Sequence, residues 1–275
     1  METSKQNKLK IATLNVLNNP SFFKERFELA VTEAEAKGVD ILLLQEVLYG
    51  ELPALGDWLA ARGWSSSALT DVEGLLHGPL TLSRSYLGEP QTSSIALSAT
   101  WPTLPTPIPI LQTDHDGITI FNGHFSWGPQ AEHTRLQTAL RVDELADILS
   151  KDRLVIFGGD FNATLESSTL RFLRGLTSEP WGDMFRSTYW TSCWSGVEPF
   201  STARKDGGWA ETTAARKGIV RPDLLPDRII DHLMSYGWNH GKVGGPLSLE
   251  RFGESMLPDG RAISDHWGIL VDFSI

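Results

Sequence analysis

The stretch Ser264-Asp265-His266-Trp267-Gly268-Ile269-Leu270-Val271 places an acid and an imidazole directly before a run of β-forming apolar residues. Three earlier stretches also end a strand-like run in polar side chains: Thr13-Leu14-Asn15, Leu44-Gln45-Glu46 and Gly158-Gly159-Asp160-Phe161-Asn162. Strand ends are where a sheet exposes side chains to a cleft. The four stretches together therefore predict one shared site.

Length and charge limit the class of protein. The 275 residues suffice for one large domain or two small ones, and either could bury a substantial core. The net charge of −10 argues against the broad basic surface of a tight, non-specific nucleic-acid binder. A nuclease is still allowed, because a bound divalent cation neutralises substrate phosphate locally.

Cysteine usage and hydropathy bear on the compartment. Cys193 is the only cysteine, which excludes an intramolecular disulfide and allows a reducing compartment. The first residues are polar, and no stretch approaches the ~18 apolar residues of a membrane span. We therefore expect no membrane span and a cytoplasmic protein.

Strand-like and helix-like patterns alternate, and the two halves of the chain share a strand-helix-strand rhythm. Residues 8–16 and 39–44 read as buried strands on either side of a helix that Ser21 is expected to cap. The clearest helical pattern covers residues 131–149. No linker-like segment interrupts these patterns, so we expect one α+β domain over residues 1–275 with layered sheets.

Glu46 is the first candidate metal ligand. An ionised carboxylate directly after a wholly apolar strand is costly unless it is paired or binds a metal. Beside Asn15 and Asp265 it would supply hard oxygen ligands, which suit Mg²⁺ or Mn²⁺ better than zinc. The alternatives are a helix cap or a salt bridge for Glu46, and an ordinary turn at the strand end for Asn15.

The stretch Gly158-Gly159-Asp160-Phe161-Asn162 carries an Asp-x-Asn pattern. The preceding glycines predict a sharp turn, and Asp160 and Asn162 can then point into one cleft. Asp160 is a candidate to orient or deprotonate a water, and Asn162 is a candidate to donate to a developing oxyanion. The alternative is an Asx-type turn without a catalytic role.

Two histidines stand at predicted strand ends. His124 and His266 are candidates to flank a phosphate, one stabilising its charge and the other transferring a proton. An acid that fixes the tautomer of His266 is either Asp227 or Asp231, and strand alternation does not distinguish the two.

Six motifs taken in order resemble the endonuclease/exonuclease/phosphatase superfamily of metal-dependent phosphoesterases, over about residues 8–273. They are Thr13-Leu14-Asn15, Gln45-Glu46-Val47, Gly123-His124, Gly159-Asp160-Phe161-Asn162, Asp227-Arg228-Ile229 and Ser264-Asp265-His266-Trp267-Gly268. Within the superfamily, the last two motifs look most like the 5′-tyrosyl-DNA phosphodiesterase branch. One departure is Leu17, at a position where many relatives carry an acid.

The resemblance implies a four-layer α/β/β/α sandwich with two central, mostly antiparallel sheets and the site at one end. It makes Glu46 the principal ligand of Mg²⁺ or Mn²⁺, with Asn15 and Asp265 close to the ion.

The resemblance also implies catalytic roles. Asp160 would handle the attacking water, Asn162 and His124 would hold the phosphate oxygens, and Asp227 would orient His266. Whether Asp160 or the His266–Asp227 pair takes the proton stays open.

These features predict a metal-dependent phosphodiesterase that uses in-line attack by water. A nuclease or nucleic-acid-end processing enzyme is the first hypothesis. A phosphoesterase for small molecules or lipid headgroups is the alternative, and the acidic charge favours it. A catalytically inactive scaffold is the third, and the intact set of acids argues against it. Tryptophans at positions 181, 190, 194 and 209 are either base-stacking or core residues.

Overall fold

Two six-stranded sheets form the centre of the described structure. The computed structural model describes residues 8–70, 72–95, 109–204 and 227–275. The helices are α1 (Phe23–Ala36), α2 (Leu52–Ala61), α3 (Glu132–Leu149) and α4 (Ser168–Leu173). None of these described helices is long and apolar enough to cross a membrane. The strands are β1 (Lys8–Asn15), β2 (Ile41–Leu48), β3 (Trp64–Ala68), β4 (His77–Arg84), β5 (Gln91–Ile95), β6 (Ile110–His115), β7 (Ile118–His124), β8 (Leu154–Asp160), β9 (Glu179–Trp181), β10 (Met184–Arg186), β11 (Trp190–Ser192), β12 (Asp231–Tyr236), β13 (Pro246–Phe252) and β14 (Gly268–Ser274).

Each sheet contains one parallel pair of strands. The first sheet has the order β13-β14-β1-β2-β4-β3, and α1 connects its parallel strands β1 and β2. The second has the order β11-β12-β8-β7-β6-β5, and α3 connects its parallel strands β7 and β8. Parallel neighbours need a crossover of this kind. The other described pairs are antiparallel, which confirms the prediction of mostly antiparallel sheets.

Three hydrophobic cores separate the layers of the sandwich. Alternate residues of the first sheet, such as Ala12 and Leu42, pack against α1 and α2. Their strand neighbours, such as Ile11 and Leu43, belong to a second core between the two sheets. A third core lies between the second sheet and the helices α3 and α4. Both faces of β1 and β2 are therefore covered, which explains their continuous apolar sequence and confirms the four-layer α+β sandwich.

The start of α1 differs from the prediction. Phe22 is the N-cap residue, with a left-handed φ of 55°, and no side chain caps the helix. The backbone N–H of Ser21 donates instead to Asn19 Oδ1 at 2.9 Å. The prediction that Ser21 caps α1 is wrong, because the chain turns at Phe22 and the helix begins one residue later.

The glycines before Asp160 also have a different role from the predicted one. β8 continues through Asp160, and Gly159 (φ 133°) lies opposite Gly123 of β7. A Cβ on Gly159 would lie 2.0 Å from Gly123 O, and a Cβ on Gly158 would lie 2.4 Å from a methyl group of Leu233. Close packing requires these glycines, and the predicted sharp turn is absent from this strand.

Candidate active site

Side chains from both sheets converge at one end of the sandwich, where β1, β7 and β8 end and β12 begins. Asp160 lies at the centre of this group. Its Oδ2 accepts a hydrogen bond from Asn15 Nδ2 at 3.0 Å, and it lies 3.7 Å from His124 Nε2 and 3.8 Å from His266 Nε2. The structure thus brings together four side chains that the sequence placed in one site.

Glu46 joins this group through Asn15, whose Nδ2 also donates to Glu46 Oε1 at 3.0 Å. The backbone N–H of Asn18 donates to Glu46 Oε2 at 2.9 Å, and His124 Nε2 lies 3.7 Å from Oε1. Burial by itself would raise the pKa of Glu46, but His124, Asn15 and the Asn18 N–H hold it below its usual value. The carboxylate is therefore ionised at neutral pH.

A β-bulge directs Glu46 into the site. The pairing of β2 with β4 shifts register between Leu44 and Val47, and Glu46 has a φ of 60°. A bulge bends the strand and re-aims the side chain, and the left-handed conformation costs a non-glycine residue about 1–2 kcal/mol. β2 itself continues to Leu48, so Glu46 lies within the strand and not after it as predicted.

Asn15 acts as a bridge in this geometry. Its Nδ2 donates to Glu46 and Asp160, while its Oδ1 accepts from the backbone N–H of Leu17 at 2.9 Å. Leu17 has a left-handed φ of 58° and packs against Leu257. The position where many relatives carry an acid is therefore part of a small apolar contact in this chain.

His266 is oriented by Asp231. Its Nδ1 donates to Asp231 Oδ2 at 3.0 Å, and Asp231 is fully buried. Asp227 lies four residues earlier and is exposed. The preference for Asp227 over Asp231 as the partner of His266 is thus corrected by the structure. Strand β12 begins at Asp231, so the strand itself carries the acid into the site, whereas Asp227 precedes it.

The His266–Asp231 pair holds a proton. Burial by itself would lower the pKa of His266, but the carboxylates of Asp231 and Asp160 raise it well above its usual value. Burial raises the pKa of Asp231. Because the imidazole is the stronger base of the two, the pair is an imidazolium–carboxylate at neutral pH, with His266 Nε2 directed toward Asp160 Oδ2.

Asp265 carries a buried oxygen that lacks a partner. Its Oδ1 has no hydrogen bond within the described part of the chain. Burial raises the pKa of Asp265, and the charges of Glu46 and Asp160 raise it further against the opposing effect of His266. A cation would compensate for an unpaired carboxylate among other acids. The carboxylate oxygens of Glu46 and Asp265 therefore fit a hard divalent ion such as Mg²⁺ or Mn²⁺, whereas Asn15 turns its amide nitrogen toward Glu46.

A second grouping of potential ligands overlaps the first. One ligand atom each from Asp160, Asp231 and His266 lies within 4.8 Å of the others. His266 Nδ1 is already bonded to Asp231, and its Nε2 is the nitrogen that faces Asp160. This arrangement suits proton transfer better than metal binding. A metal ion among these three side chains would have to replace the positive charge of the protonated His266.

Asn162 adopts the turn that was the alternative to a catalytic role. Its backbone N–H donates to Asp160 Oδ1 at 2.9 Å, its φ is 47°, and its Nδ2 donates to Phe125 O at 3.0 Å. The turn fixes the carboxylate of Asp160 and joins the segments that follow β7 and β8. The amide of Asn162 has a second hydrogen, which can donate to a phosphate oxygen.

Two positioning residues escaped the sequence analysis. Ser264 Oγ donates to Asn15 O and accepts from the backbone N–H of His266 at 3.0 Å. The fully buried Arg26 donates to Val16 O, to Leu17 O at 3.1 Å and to Ile263 O at 3.3 Å. These contacts tie the loop after β1 to the segment that carries Asp265 and His266. A charged residue beside Phe27 on the buried face of a predicted helix was the available signal for Arg26.

The described tryptophans of the 181–209 region pack in the fold. Trp190 is fully buried and Trp194 nearly so. Trp181 is half-buried, with its Nε1 donating to Glu144 Oε1 at 3.5 Å. Trp209 lies outside the described residues. The hypothesis that Trp190 or Trp194 stacks on bases is therefore wrong, because their rings are already enclosed by protein.

Comparison with solved structures supports the same fold. A humanized D. rerio TDP2 with 14 mutations shares 18% sequence identity at a TM-score of 0.70, with 98% of this chain and 99% of that chain covered. TDP2 from C. elegans shares 17% at a TM-score of 0.70, covering 100% and 77% of the two chains. D. rerio TDP2 complexed with a single-strand DNA product shares 18% at a TM-score of 0.68, covering 98% and 100%. At these identities the likeness concerns the fold alone.

Family membership rests on the sequence. Comparison with curated proteins gives no match. The profile of the Endonuclease/Exonuclease/phosphatase family matches residues 12–266, which include every candidate site residue described above. The chain belongs to the endonuclease/exonuclease/phosphatase family and is a phosphoester-hydrolysing enzyme.

Proposed function

We propose that this chain is a divalent-metal-dependent phosphodiesterase that cleaves nucleic acid or processes its ends by in-line attack of water. The observation that carries the proposal is the position of Asp160 Oδ2, which contacts Asn15 and faces the imidazoles of His124 and His266. A carboxylate that can accept a water proton, two imidazoles and a set of hard oxygen ligands then lie within one site, as phosphodiester hydrolysis requires.

Mg²⁺ or Mn²⁺ would be held by Glu46, with Asp265 and Asn15 beside it. When bound, such an ion neutralises the charge that develops on the phosphate and the leaving oxygen. Asp265 Oδ1, which has no hydrogen-bond partner among the described residues, and the ionised Glu46 support this assignment.

The other side chains would bind phosphate and move protons. Asp160 would orient the attacking water, and His124 and Asn162 would donate to the phosphate oxygens. The proton would pass to Asp160 or to the His266–Asp231 pair, in which Asp231 takes the role first given to Asp227. The hydrogen bond between His266 Nδ1 and Asp231 supports a fixed tautomer for that step.

Nucleic acid is the proposed substrate, with a 5′-tyrosyl-DNA end as one member of the class. Two observations support this choice: the last two motifs resemble the 5′-tyrosyl-DNA phosphodiesterase branch, and the D. rerio TDP2 structure holds a single-strand DNA product. One observation favours a second candidate, a phosphoesterase for small molecules or lipid headgroups. The net charge of −10 provides little attraction for a long phosphate backbone. A single domain over residues 1–275 and a cytoplasmic location stay predictions from the sequence.

The test is Mg²⁺-dependent hydrolysis of a substrate panel: supercoiled plasmid, single-stranded and duplex oligonucleotides, a 5′-tyrosyl oligonucleotide, and bis-nitrophenyl phosphate. EDTA and the Asp160→Asn variant are the controls. We expect cleavage of a nucleic acid that EDTA abolishes, because the ion that neutralises the phosphate is removed, and that Asp160→Asn reduces by about 10²-fold or more, the contribution of a general acid–base group. Hydrolysis of bis-nitrophenyl phosphate alone would favour the second candidate. Turnover that survives Asp160→Asn in a folded variant would remove Asp160 from the mechanism.

A further inference from the structure

Trp127 is an exposed aromatic residue beside the candidate site. It lies three residues after His124, so its Cα is at most about 11 Å from that of the histidine. It is 60% exposed, although most tryptophans bury far more of their surface. β7 ends at His124 on the site side of the sandwich, so the loop of residues 125–128 directly follows a side chain of the site.

The backbone on both sides of Trp127 is fixed by a buried arginine. The Arg135 guanidinium donates to Ser126 O and to Gly128 O, both at 2.8 Å, and pairs with Glu132 at 2.9 Å. Arg135 is only 5% exposed, so a guanidinium has been taken out of water to hold these two carbonyls. The loop is therefore shaped before any ligand binds.

Further contacts join this loop to the catalytic residues. Asn162 Nδ2 donates to Phe125 O at 3.0 Å, and the backbone N–H of Phe125 donates to Asp160 O at 2.9 Å. The ring of Phe125 stacks on that of Phe161, with 4.6 Å between the ring centroids. Trp127 thus stands on a rigid support that shares its anchors with Asp160.

An isolated exposed tryptophan is common and needs no explanation by itself. Here the indole stays in water although the fold has fixed its backbone on both sides, next to a site for phosphate. Held this way, an aromatic ring loses little entropy when a planar ligand stacks on it. The acidic chain offers little charge attraction for a nucleic acid, so stacking would supply binding that basic residues do not.

We propose that Trp127 is a base-stacking subsite that receives the nucleobase of the nucleotide whose phosphate is cleaved. The inference rests on the proposed function, since it names a part of the substrate at the same site. It predicts a preference for phosphodiesters that carry a base near the scissile phosphate, in unpaired form, over diesters of simple alcohols.

The first test compares two substrates with the same leaving group: thymidine 5′-(p-nitrophenyl phosphate) and methyl p-nitrophenyl phosphate. The wild type should favour the thymidine ester in kcat/KM. Trp127→Ala should lower the ratio of the two kcat/KM values about tenfold or more, because stacking on one base is worth that factor. Trp238→Ala is the matched control: Trp238 is 59% exposed, follows the far end of β12, and should leave the ratio unchanged. An unchanged ratio in Trp127→Ala would overturn the proposal, as would an equal loss on both esters, which would place the leaving group on the indole.

The second test does not depend on turnover. Titration with adenosine 5′-monophosphate in EDTA should quench tryptophan fluorescence in the wild type and in Trp238→Phe, and the quench should be lost in Trp127→Phe. If the wild type hydrolyses neither ester but keeps this Trp127-dependent quench, the subsite stands while the proposed phosphodiesterase function fails. If Trp127→Phe is quenched as strongly as the wild type, the subsite is refuted whatever the activity.

Discussion

Two strand-helix-strand units of this enzyme have the same plan. The first unit is β1-α1-β2 and the second is β7-α3-β8, and each contains the parallel pair of its sheet. In each, an arginine in the fourth position of the helix is buried and binds carbonyls of the loop that precedes it: Arg26 in the first unit and Arg135 in the second. Each unit supplies two polar side chains to the site.

The units differ in how the second strand delivers its acid. In the second unit, His124 and Asp160 lie directly opposite each other on the parallel ladder, and both point into the site. In the first unit, the residue opposite Asn15 is Gln45, which is occupied by hydrogen bonds to Thr13 and Asn122. Glu46, one residue later, enters the site through a bulge with a φ of 60°. One unit therefore relies on backbone strain, and the other relies on glycines that let two straight strands approach.

The largest expected effect comes from a substitution that prevents the close approach of β7 and β8 in the second unit. Gly159→Ala places a methyl group 2.0 Å from Gly123 O and forces an alanine to adopt a φ of 133°. Overpacking and backbone strain each cost about 1–3 kcal/mol, so we expect a loss of about 2–6 kcal/mol in the free energy of unfolding. Chemical denaturation measures it.

Gly56→Ala is the matched control for this substitution. Gly56 lies within α2, its φ is not positive, and nothing lies within 4 Å of an added Cβ. Alanine should stabilise that helix by about 0.5–1 kcal/mol. If Gly159→Ala unfolds at the same denaturant concentration as the wild type, the glycines of β8 are not needed for strand packing.

The difference between the units explains how far the sequence could be interpreted. The apolar runs and the helical spacing predict the second unit's strands and helix and the alternating architecture, because burial on two faces leaves a continuous apolar pattern. The sequence could also predict that Asn15, Glu46, Asp160 and His266 come together, since each stands at one end of an apolar run.

What the sequence could not predict depends on tertiary contacts. The bulge at Glu46 arises from pairing with β4, which lies about thirty residues later in the chain. The choice of Asp231 over Asp227 depends on where β12 begins, and strand ends are set by pairing with β8. Trp127 carries no local signal of exposure, because Arg135 fixes its loop from the next helix.

The second largest expected effect is a loss of stability at low pH, and it concerns the loop after β8. A neutral histidine binds this loop, whereas the charged Arg26 binds the loop of the first unit. His232 is fully buried, its Nε2 donates to Ala163 O at 2.9 Å, and burial lowers its pKa to about 4. Because the folded pKa is below the unfolded value of 6.5, the unfolded state binds the proton first as pH falls. Stability from the neutral imidazole is therefore present above pH 6.5 and is lost between about pH 6.5 and 4.

Comparison of the wild type with His232→Gln isolates this contribution. Relative to the variant, the wild type should lose about 3 kcal/mol of unfolding free energy between pH 7 and pH 4, at about 1.4 kcal/mol per pKa unit. Urea denaturation across this range gives both curves, and other titrating groups affect them in common. Parallel curves would mean that folding leaves the pKa of His232 at its unfolded value, so that burial does not shift it.

The smallest expected effect is a loss of kcat on substitution of Asp231, which lies on β12, the strand beside the second unit. Asp231 of β12 lies opposite Asp160 of β8 on the antiparallel ladder. The two acids therefore contact opposite nitrogens of the His266 ring. Asp231→Asn keeps the shape but removes the charge that fixes and stabilises the imidazolium. We expect kcat to fall about 10- to 100-fold, the range for residues that orient a functional histidine.

Asp227→Asn is the control and should stay within about twofold of the wild type, because Asp227 is exposed and precedes β12. Both variants should unfold at the wild-type temperature to within a few degrees, so that kinetics alone reports the role. A loss confined to Asp227→Asn would restore the assignment that the motif favoured.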